Sequence, residues 1–299
     1  MNKTCTRITT EDLVSIASRG FKTFSDTDQT KLLDFLGSQR LPDGSYMDRS
    51  GKSDPYYTYF GVMASEACAS QSSAMTLGFI RKTTLTAGDF INLSTMIQLC
   101  SILPVFPGGN EIKPLLTELE SFRSKDGSYS VRGKHMDSGS TYAAYLALLA
   151  YSSHGLEIPE KERINEFTKK VLLADGSFAN EPETPTGTAT TSSAGIILES
   201  AISGKKHPKT IEYLEQCLPE DKKGFKITPE APFPDLLSTS AALYAFYHID
   251  LEKNNLRVKI LSFVSELRMG SGGFKSMLYD DAADTEFTFH AMLVLGIIS

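Results

Sequence analysis

Acidic side chains crowd one short stretch near the C-terminal end of the chain. Asp280, Asp281, Asp284 and Glu286 place four carboxyl groups within seven residues. Carboxylates held close together raise one another's pKa, which suits one of them to act as a general acid. We therefore take Asp281, Asp284 and Glu286 as candidate catalytic residues. The alternative is a solvated acidic loop in which Asp284 caps a helix.

Tyrosines gather at the start of one predicted helix and recur in two later ones. The substrate-binding candidates of this type are Tyr56, Tyr57, Tyr59, Tyr142 and Tyr244. Aromatic rings that line a cavity can hold an apolar chain and can stabilise a cation through their π faces. The alternative is that these rings pack between helix layers in the core.

His290 stands in the middle of the last predicted helix, among apolar neighbours. We take it as a further substrate-binding candidate, and the alternative is a buried core residue with a satisfied ring. The five histidines form no cluster in the sequence, and the four cysteines (Cys5, Cys68, Cys100 and Cys217) are widely scattered. These residues therefore predict no metal site and no dense disulfide framework.

The candidates belong to a repeat with a period of about 49 residues. Counting back from Asp284 in steps of 49 reaches Asp235, Thr186 and Asp137, and Asp54 opens an earlier copy. A threonine four positions on and a small residue seven positions on recur with most copies. Positions 0, +4 and +7 lie on one stripe of an α-helix. The pattern predicts a polar N-cap, a threonine one turn in, and a small residue where a neighbouring helix comes close.

Each copy is interpreted as a charged outer helix, a turn containing glycine and an aromatic residue, and an apolar inner helix. The outer helices are predicted at residues 31–36, 75–82, 111–123, 162–172, 208–217 and 256–267. The inner helices are predicted at residues 54–69, 90–103, 137–151, 186–200, 235–247 and 284–295. In the second unit the turn is reduced to Thr86-Ala87-Gly88.

Six such helix pairs fill the chain from about residue 30 to residue 299. Residues 1–29 are predicted as a polar lead-in with one short helix at 11–18. An open stack of repeats would need capping repeats at both ends, and none is evident. The prediction is one all-α domain over residues 1–299, in which six outer helices surround a closed ring of six inner helices.

Composition disfavours several classes of protein. The net charge is −6, which argues against a nucleic-acid partner. No apolar run reaches 18 residues, so no membrane span is predicted. The first 16 residues carry no secretory signal. Together with the scattered cysteines, these features predict a reducing, cytoplasmic setting.

The turns and inner-helix starts resemble those of the prenyltransferase and squalene-cyclase repeat superfamily. The turns are Asp43-Gly44-Ser45-Tyr46, Asp126-Gly127-Ser128-Tyr129, Asp175-Gly176-Ser177-Phe178, Lys223-Gly224-Phe225 and Gly272-Gly273-Phe274. The resemblance spans residues 30 to 299. It implies an α/α toroid, a six-fold α–α barrel, with an isoprenoid or similar apolar substrate in its central cavity.

Within that superfamily, the β subunits of protein prenyltransferases are similar in size to this chain. They hold zinc through an Asp and a Cys that open the fifth inner helix and a His that opens the sixth. Here Asp235 matches the Asp, but Leu237 and Phe287 occupy the other two positions. These two side chains cannot ligate zinc, so the resemblance implies no metal cofactor, although zinc is the family's metal. Asp235 and Phe287 are retained as substrate-binding candidates.

Class II terpene cyclases form another branch and protonate their substrate with the central Asp of a D-x-D-D-T motif. The segment Asp281-Ala282-Ala283-Asp284-Thr285 keeps the first and last Asp and the Thr, while Ala283 replaces the central acid. The chain also contains no Trp, whereas squalene-cyclase repeats commonly carry Gln-Trp pairs.

The predicted function is an isoprenoid-handling enzyme of prenyltransferase or terpene-cyclase type, without the usual zinc site. Its partner would be an apolar small molecule. Two alternatives stay open: a non-catalytic binding or scaffold toroid, and a subunit of a hetero-complex with a helical protein partner. A deep cavity lined by Tyr and Phe with an acid at its mouth favours the enzyme, and a cavity filled by side chains favours the scaffold.

Overall fold

The computed structural model describes residues 8–70, 72–86, 88–106, 111–221, 223–251 and 254–299. Six inner helices are α3 Pro55–Ala67, α5 Phe90–Ile102, α7 Thr141–Ser153, α9 Ala189–Ser203, α11 Leu236–His248 and α13 Thr285–Ile298. Six outer helices are α2 Asp26–Ser38, α4 Ala74–Thr86, α6 Ile112–Glu120, α8 Lys161–Val171, α10 Pro208–Gln216 and α12 Arg257–Glu266. A further helix, α1, spans Thr10–Phe21, and a 3-10 turn at Asn254–Leu256 precedes α12.

The inner helices form a closed ring. Each packs against the next along the chain, and α13 returns to pack against α3. The inner helices are apolar on nearly every side, as expected for helices buried between two layers. An outer helix such as α8 instead buries Ile164, Phe167 and Val171 on one face and carries Lys169 and Lys170 at its exposed end. The predicted all-α toroid is confirmed.

Helix α1 lies across one end of this ring and packs against α13, α3, α5 and α7. A Cβ atom on Gly20 would lie 1.9 Å from the carbonyl oxygen of Met292, so the backbones of α1 and α13 are in direct contact. The backbone N–H of Thr10 donates to Ser153 Oγ at the end of α7, at 2.9 Å. The segment predicted as a lead-in with a helix at 11–18 therefore contains a longer helix, which closes the C-terminal end of the ring.

Two short hairpins connect outer helices to inner ones. Strand β1 (Tyr46–Met47) pairs antiparallel with β2 (Ser53–Asp54), and β3 (Phe225–Lys226) pairs antiparallel with β4 (Pro234–Asp235). In four units the turn aromatic donates its backbone N–H to a hydroxyl one turn into the next inner helix. The pairs are Tyr46–Thr58 (2.9 Å), Phe178–Ser192 (3.0 Å), Phe225–Thr239 (2.8 Å) and Phe274–Thr288 (3.1 Å). The repeated hydroxyl thus ties each turn to its helix.

The small residue of the repeat has a different role from the one predicted. A Cβ atom on Gly61 would lie 2.4 Å from the ring of Tyr46, and one on Gly195 would lie 2.4 Å from the ring of Phe178. The missing side chain therefore makes room for the turn aromatic of the same unit rather than for a neighbouring helix.

The register predicted for the third and fourth units is wrong. Helix α7 is capped by Ser140, not Asp137, and α9 is capped by Thr188, not Thr186. Asp137 is exposed and pairs with Lys125 instead. Both loops offer several polar residues in a row, and each of them has the chemistry of an N-cap. The strict 49-residue step therefore selected the wrong one in these two units.

The remaining helices lie close to their predicted positions, and Asp89 caps the inner helix of the second unit. The predicted turn at 86–88 includes Ala87, which lies outside the described residues. None of the helices in the described part of the chain combines the length and hydrophobicity that a bilayer crossing requires.

Candidate active site

A central cavity of about 410 Å³ lies inside the ring of inner helices. Its volume falls within the range of roughly 300–1,000 Å³ that is typical of small-molecule sites. The aromatic residues in its wall are Tyr56, Tyr59, Phe60, Tyr142, Tyr145, Tyr244 and Phe289. Aliphatic side chains, a few hydroxyls, Asn180 and His290 complete the wall, so the cavity is predominantly apolar.

The cavity opens at the N-terminal ends of the inner helices. Tyr56, Tyr142 and Leu237 are each the second residue of an inner helix, line the cavity and are partly exposed. Leu13 of α1 also lines it and is buried, because α1 covers the other end of the ring. The site is therefore a blind pocket with its mouth at the helix N-termini.

The tyrosines of the wall are neutral phenols. Burial raises the pKa of Tyr142 to about 12 and raises the pKa of Tyr59 and Tyr244 well above the ordinary value. The hydroxyl of Tyr59 donates to Gln98 Oε1 at 2.7 Å. Tyr142 and Tyr56 both line the cavity near the mouth.

Glu286 lies directly behind the wall at the mouth. It is the second residue of α13, and it is 8% exposed. Its Oε1 accepts a hydrogen bond of 2.8 Å from the hydroxyl of Tyr56, which does line the cavity. Burial raises the pKa of Glu286 to about 7, although the hydrogen bond from Tyr56 favours the ionised carboxylate and lowers the pKa. This carboxyl group can therefore gain or lose a proton near neutral pH.

Arg49, in the turn between β1 and β2, bridges two neighbouring carboxylates. Its Nε donates to Asp284 Oδ2 at 2.7 Å, and its terminal nitrogen donates to Asp280 Oδ2 at 2.8 Å. Burial opposes ionisation of Asp280, yet Arg49 and Ser276 together hold its pKa well below the usual range. Burial raises the pKa of Asp284, although the Phe287 N–H and Arg49 counteract this. Arg49 thus joins the first unit to the last beside Glu286.

His290 lines the cavity. Its Nδ1 lies 2.9 Å from Ser240 Oγ, and its buried Nε2 has no hydrogen-bond partner among the described residues. Burial lowers the pKa of His290 to about 4, so the ring is neutral at pH 7.

The structure separates the predicted site residues into two groups. Those in the cavity wall are Tyr56, Tyr59, Tyr142, Tyr244 and His290. Those outside it are Tyr57, Asp235, Asp281, Asp284, Glu286 and Phe287. Their proposed roles remain predictions.

Three of the predicted residues outside the cavity wall, Asp235, Phe287 and Asp281, differ in their surroundings. Asp235 caps α11 and accepts hydrogen bonds from the N–H and the hydroxyl of Ser238, both at 2.7 Å. The ring of Phe287 lies 5.6 Å from the guanidinium carbon of Arg49. Asp281 is exposed in the preceding loop.

Several residues of the site were not among the candidates, and Arg49, Asn180 and Ser240 are three of them. Arg49 carries no local signal, because its partners lie more than 230 positions away in the chain. Asn180 follows the turn of the fourth unit, where its Oδ1 accepts the backbone N–H of Tyr142 at 3.2 Å. Ser240 was detectable in principle, since it is three residues after Leu237 and four before Tyr244 on one face of α11.

The residues at the family's zinc positions do not fit a zinc ion. Leu237 and Phe287 offer no donor atom, and both carboxylate oxygens of Asp235 are engaged by Ser238. Within the described ranges, no group of three or more His, Cys, Asp or Glu side chains is arranged to hold a metal ion.

The family model for the prenyltransferase α–α toroid domain matches this chain over residues 2–101, 95–191 and 186–299. The chain therefore belongs to the prenyltransferase α–α toroid domain family. No curated protein matches the chain.

Solved structures agree on the fold at low sequence identity. A Candida albicans protein geranylgeranyltransferase-I complexed with GGPP is 14% identical with a TM-score of 0.56, covering 94% of this chain and 89% of that one. A protein from Actinoplanes is 14% identical with a TM-score of 0.60, covering 91% and 98%. The type II terpene cyclase MstE from Scytonema is 10% identical with a TM-score of 0.57, covering 95% and 97%.

Proposed function

We propose that this chain is an isoprenoid-handling enzyme of prenyltransferase or terpene-cyclase type that binds an apolar chain in its central cavity. The observation that carries the proposal is the blind cavity of about 410 Å³ with Glu286 hydrogen-bonded to Tyr56 at its mouth. Two of its structural neighbours are a geranylgeranyltransferase complexed with GGPP and a type II terpene cyclase. A deep aromatic pocket with an acid at its mouth is the arrangement expected of an enzyme.

Glu286 is the proposed proton-exchanging group. Its pKa of about 7 lets it serve as a general acid or a general base near neutral pH. Because Tyr56 lies between Glu286 and the cavity, the proton passes between the carboxyl group and the ligand through the Tyr56 hydroxyl. The negative charge of Asp284 raises the pKa of this carboxyl group, and the positive charge of Arg49 lowers it.

The proposed chemistry needs no zinc, since two of the three family positions carry apolar side chains. A reducing, cytoplasmic setting is part of the proposal. Cys68, Cys100 and Cys217 are free, and burial raises the pKa of each thiol to about 12. Such thiols are protonated and inert at neutral pH.

The test combines native mass spectrometry, metal analysis and product analysis after incubation with isoprenoids of several chain lengths. We expect a bound isoprenoid, no stoichiometric zinc, and a product that Glu286→Gln fails to form while still binding the ligand. Glu162→Gln, an exposed position on α8, is the matched control and keeps full turnover. Failure of every isoprenoid to bind would contradict the proposal and favour a scaffold.

A subunit role in a hetero-complex is the second candidate, and one surface feature favours it. Apolar side chains are exposed on two loops that precede α11 and α13: Ile227, Phe233, Met277, Leu278 and Tyr279. The rings of Phe233 and Tyr279 lie 4.6 Å apart, and Tyr279 is 71% exposed. An exposed apolar patch at one rim is typical of a protein-binding surface. If a protein partner co-purifies with the wild type, its loss from the Tyr279→Ser variant would support this role. Unchanged association with the variant would contradict it.

A further inference from the structure

The charge arrangement at the mouth restricts the chemical class of ligand, and this inference rests on the proposed function. We propose that the cavity takes an isoprenoid without an anionic head group, so that an uncharged chain is accepted and the matching prenyl diphosphate is rejected. Of the two types in the proposed function, this selects the terpene-cyclase type, because prenyl transfer from a diphosphate requires the diphosphate to bind. Helix N-termini, carboxylates and cations surround the mouth.

Six inner helices direct their N-termini toward the mouth, and such ends normally attract anions. Free backbone N–H groups and the helix dipole together make a ready phosphate site. In this ring, however, a side chain of the chain itself accepts a backbone N–H at each of the six ends. The acceptors are Asp54 (3.0 Å to the Tyr57 N), Asp89 (2.9 Å, Asn92), Ser140 (3.1 Å, Ala143), Thr188 (3.1 Å, Thr191), Asp235 (2.7 Å, Ser238) and Asp284 (2.9 Å, Phe287).

Four of these six acceptors are carboxyl groups, so they supply negative charge where a phosphate would need positive charge. Glu286 adds another carboxyl group beside Asp284. A diphosphate at the mouth would have to displace these groups from the backbone amides and lie among them. Uncharged oxygen or hydrocarbon meets no such repulsion.

Several cations in the loops around the mouth are already paired, and Lys226 and Lys275 donate to the carbonyl oxygens of Pro229 and Leu278. Arg49 is shared between Asp280 and Asp284, so two carboxylates face one guanidinium. The loops of the third unit hold three more cations, each in an ion pair. These pairs are Lys125–Asp137, Arg132–Glu181 and Lys134–Glu118. Among the described residues that line the cavity, none is Lys or Arg.

The wall itself matches an uncharged chain. Its phenols are neutral, and its one histidine, His290, is neutral at pH 7 because burial lowers its pKa to about 4. Neutral aromatic faces bind apolar chains and tolerate positive charge better than negative charge. The mouth and the wall therefore both favour an uncharged ligand over an anionic one.

The experiment compares three ligands that share one C15 chain: farnesol, farnesylamine and farnesyl diphosphate. Dissociation constants are measured by isothermal titration calorimetry and by native mass spectrometry at low and moderate salt. We expect farnesol and farnesylamine to bind at least ~10-fold more tightly than the diphosphate. The ratio should shrink as salt screens the mouth.

Asp235→Asn tests the electrostatic cause, because asparagine keeps the cap and removes the charge. It should tighten diphosphate binding several-fold relative to farnesol binding, while Glu162→Gln on α8 should leave the ratio of the two dissociation constants unchanged. If Asp235→Asn leaves the ratio of the diphosphate and farnesol dissociation constants unaltered, the inference is contradicted.

The outcomes separate the two proposals. Diphosphate binding as tight as, or tighter than, farnesol binding overturns the charge selectivity and leaves the isoprenoid assignment intact. Absence of binding by all three ligands overturns the isoprenoid assignment, and the selectivity falls with it.

Discussion

The mouth of the ring has two unlike halves. The acidic half, formed by α3, α5, α11 and α13, carries Asp54, Asp89, Asp235, Asp284 and Glu286 with Arg49. The hydroxyl half, formed by α7 and α9 and the loop between α8 and α9, carries Ser140, Asn180, Thr188, Thr190 and Thr191. Both halves belong to the same repeat, and both begin their inner helices in the same way.

The difference separates what the fold needs from what the site adds. An inner helix needs a side-chain acceptor at its start, and a hydroxyl meets that need as well as a carboxylate. Ser140 and Asp284 accept the equivalent backbone N–H at 3.1 and 2.9 Å. Charge on one side of the ring therefore exceeds the structural requirement, and it surrounds the carboxyl group that titrates near pH 7.

The largest expected effect comes from removing the titrating carboxyl group. Glu286→Gln should lower turnover of the bound isoprenoid by at least ~100-fold, because general acid–base catalysis contributes roughly that much or more. Thr190→Val in the hydroxyl half should change turnover by less than ~10-fold. Steady-state kinetics of both variants checks this, and equal losses would show that the two halves do not differ in chemistry.

Breaking the Arg49 bridge should affect stability more than breaking an ion pair of the other half. Arg49→Ala leaves Asp284, whose side chain is 3% exposed, without its cation, and should cost roughly 1–3 kcal/mol. The figure is toward the low end because Arg49 is itself 37% exposed. Arg132→Ala removes a pair whose cation is 61% exposed and should cost about 0–1 kcal/mol. Urea denaturation at pH 7 measures both, and a larger loss for Arg132→Ala would reverse the comparison.

Stability should depend on pH through the acidic half. Burial raises the pKa of Glu286 from 4.5 to about 7, so the folded state binds more protons than the unfolded state between these values. The contribution of Glu286 to folding stability therefore falls as the pH rises through this window and stays lower above it. The lowered pKa of His290 acts in the opposite direction below pH 6.5 in both proteins. Glu286→Gln removes the Glu286 contribution and should be more stable than the wild type at pH 8 by on the order of 3 kcal/mol. Unfolding free energies at pH 5 and pH 8 test this, and the same pH slope in both proteins would assign it elsewhere.

Removing an N-cap should destabilise the protein slightly and equally in the two halves. Asp235→Ala and Thr188→Ala each remove an N-cap and should each cost about 1 kcal/mol. Thermal unfolding of the two variants measures this, with Glu162→Gln as the surface control. A loss confined to Asp235→Ala would mean that its charge, rather than its hydrogen bond, holds the helix start.

Much of the fold was predictable because each unit repeats its own local chemistry. Gly-aromatic turns and apolar inner helices are local signals, and the closed ring follows from the absence of caps. The starts of α7 and α9 were not predictable, because Ser140 and Thr188 stand among other residues able to cap. Of the site, the wall tyrosines could be predicted from helix spacing. Two features could not be predicted in this way: the position of Arg49 beside Asp284 and the position of α1 across the ring. Both depend on contacts between distant parts of the chain.

The most direct test of the account is the infrared carboxyl band of Glu286, followed from pH 5 to pH 9 with and without farnesol and identified by its loss in Glu286→Gln. We expect a protonated band that titrates near pH 7, with a midpoint that rises when farnesol displaces water from the mouth. A midpoint near 4.5, the ordinary value, that farnesol does not change would contradict the claim that this acid serves the cavity.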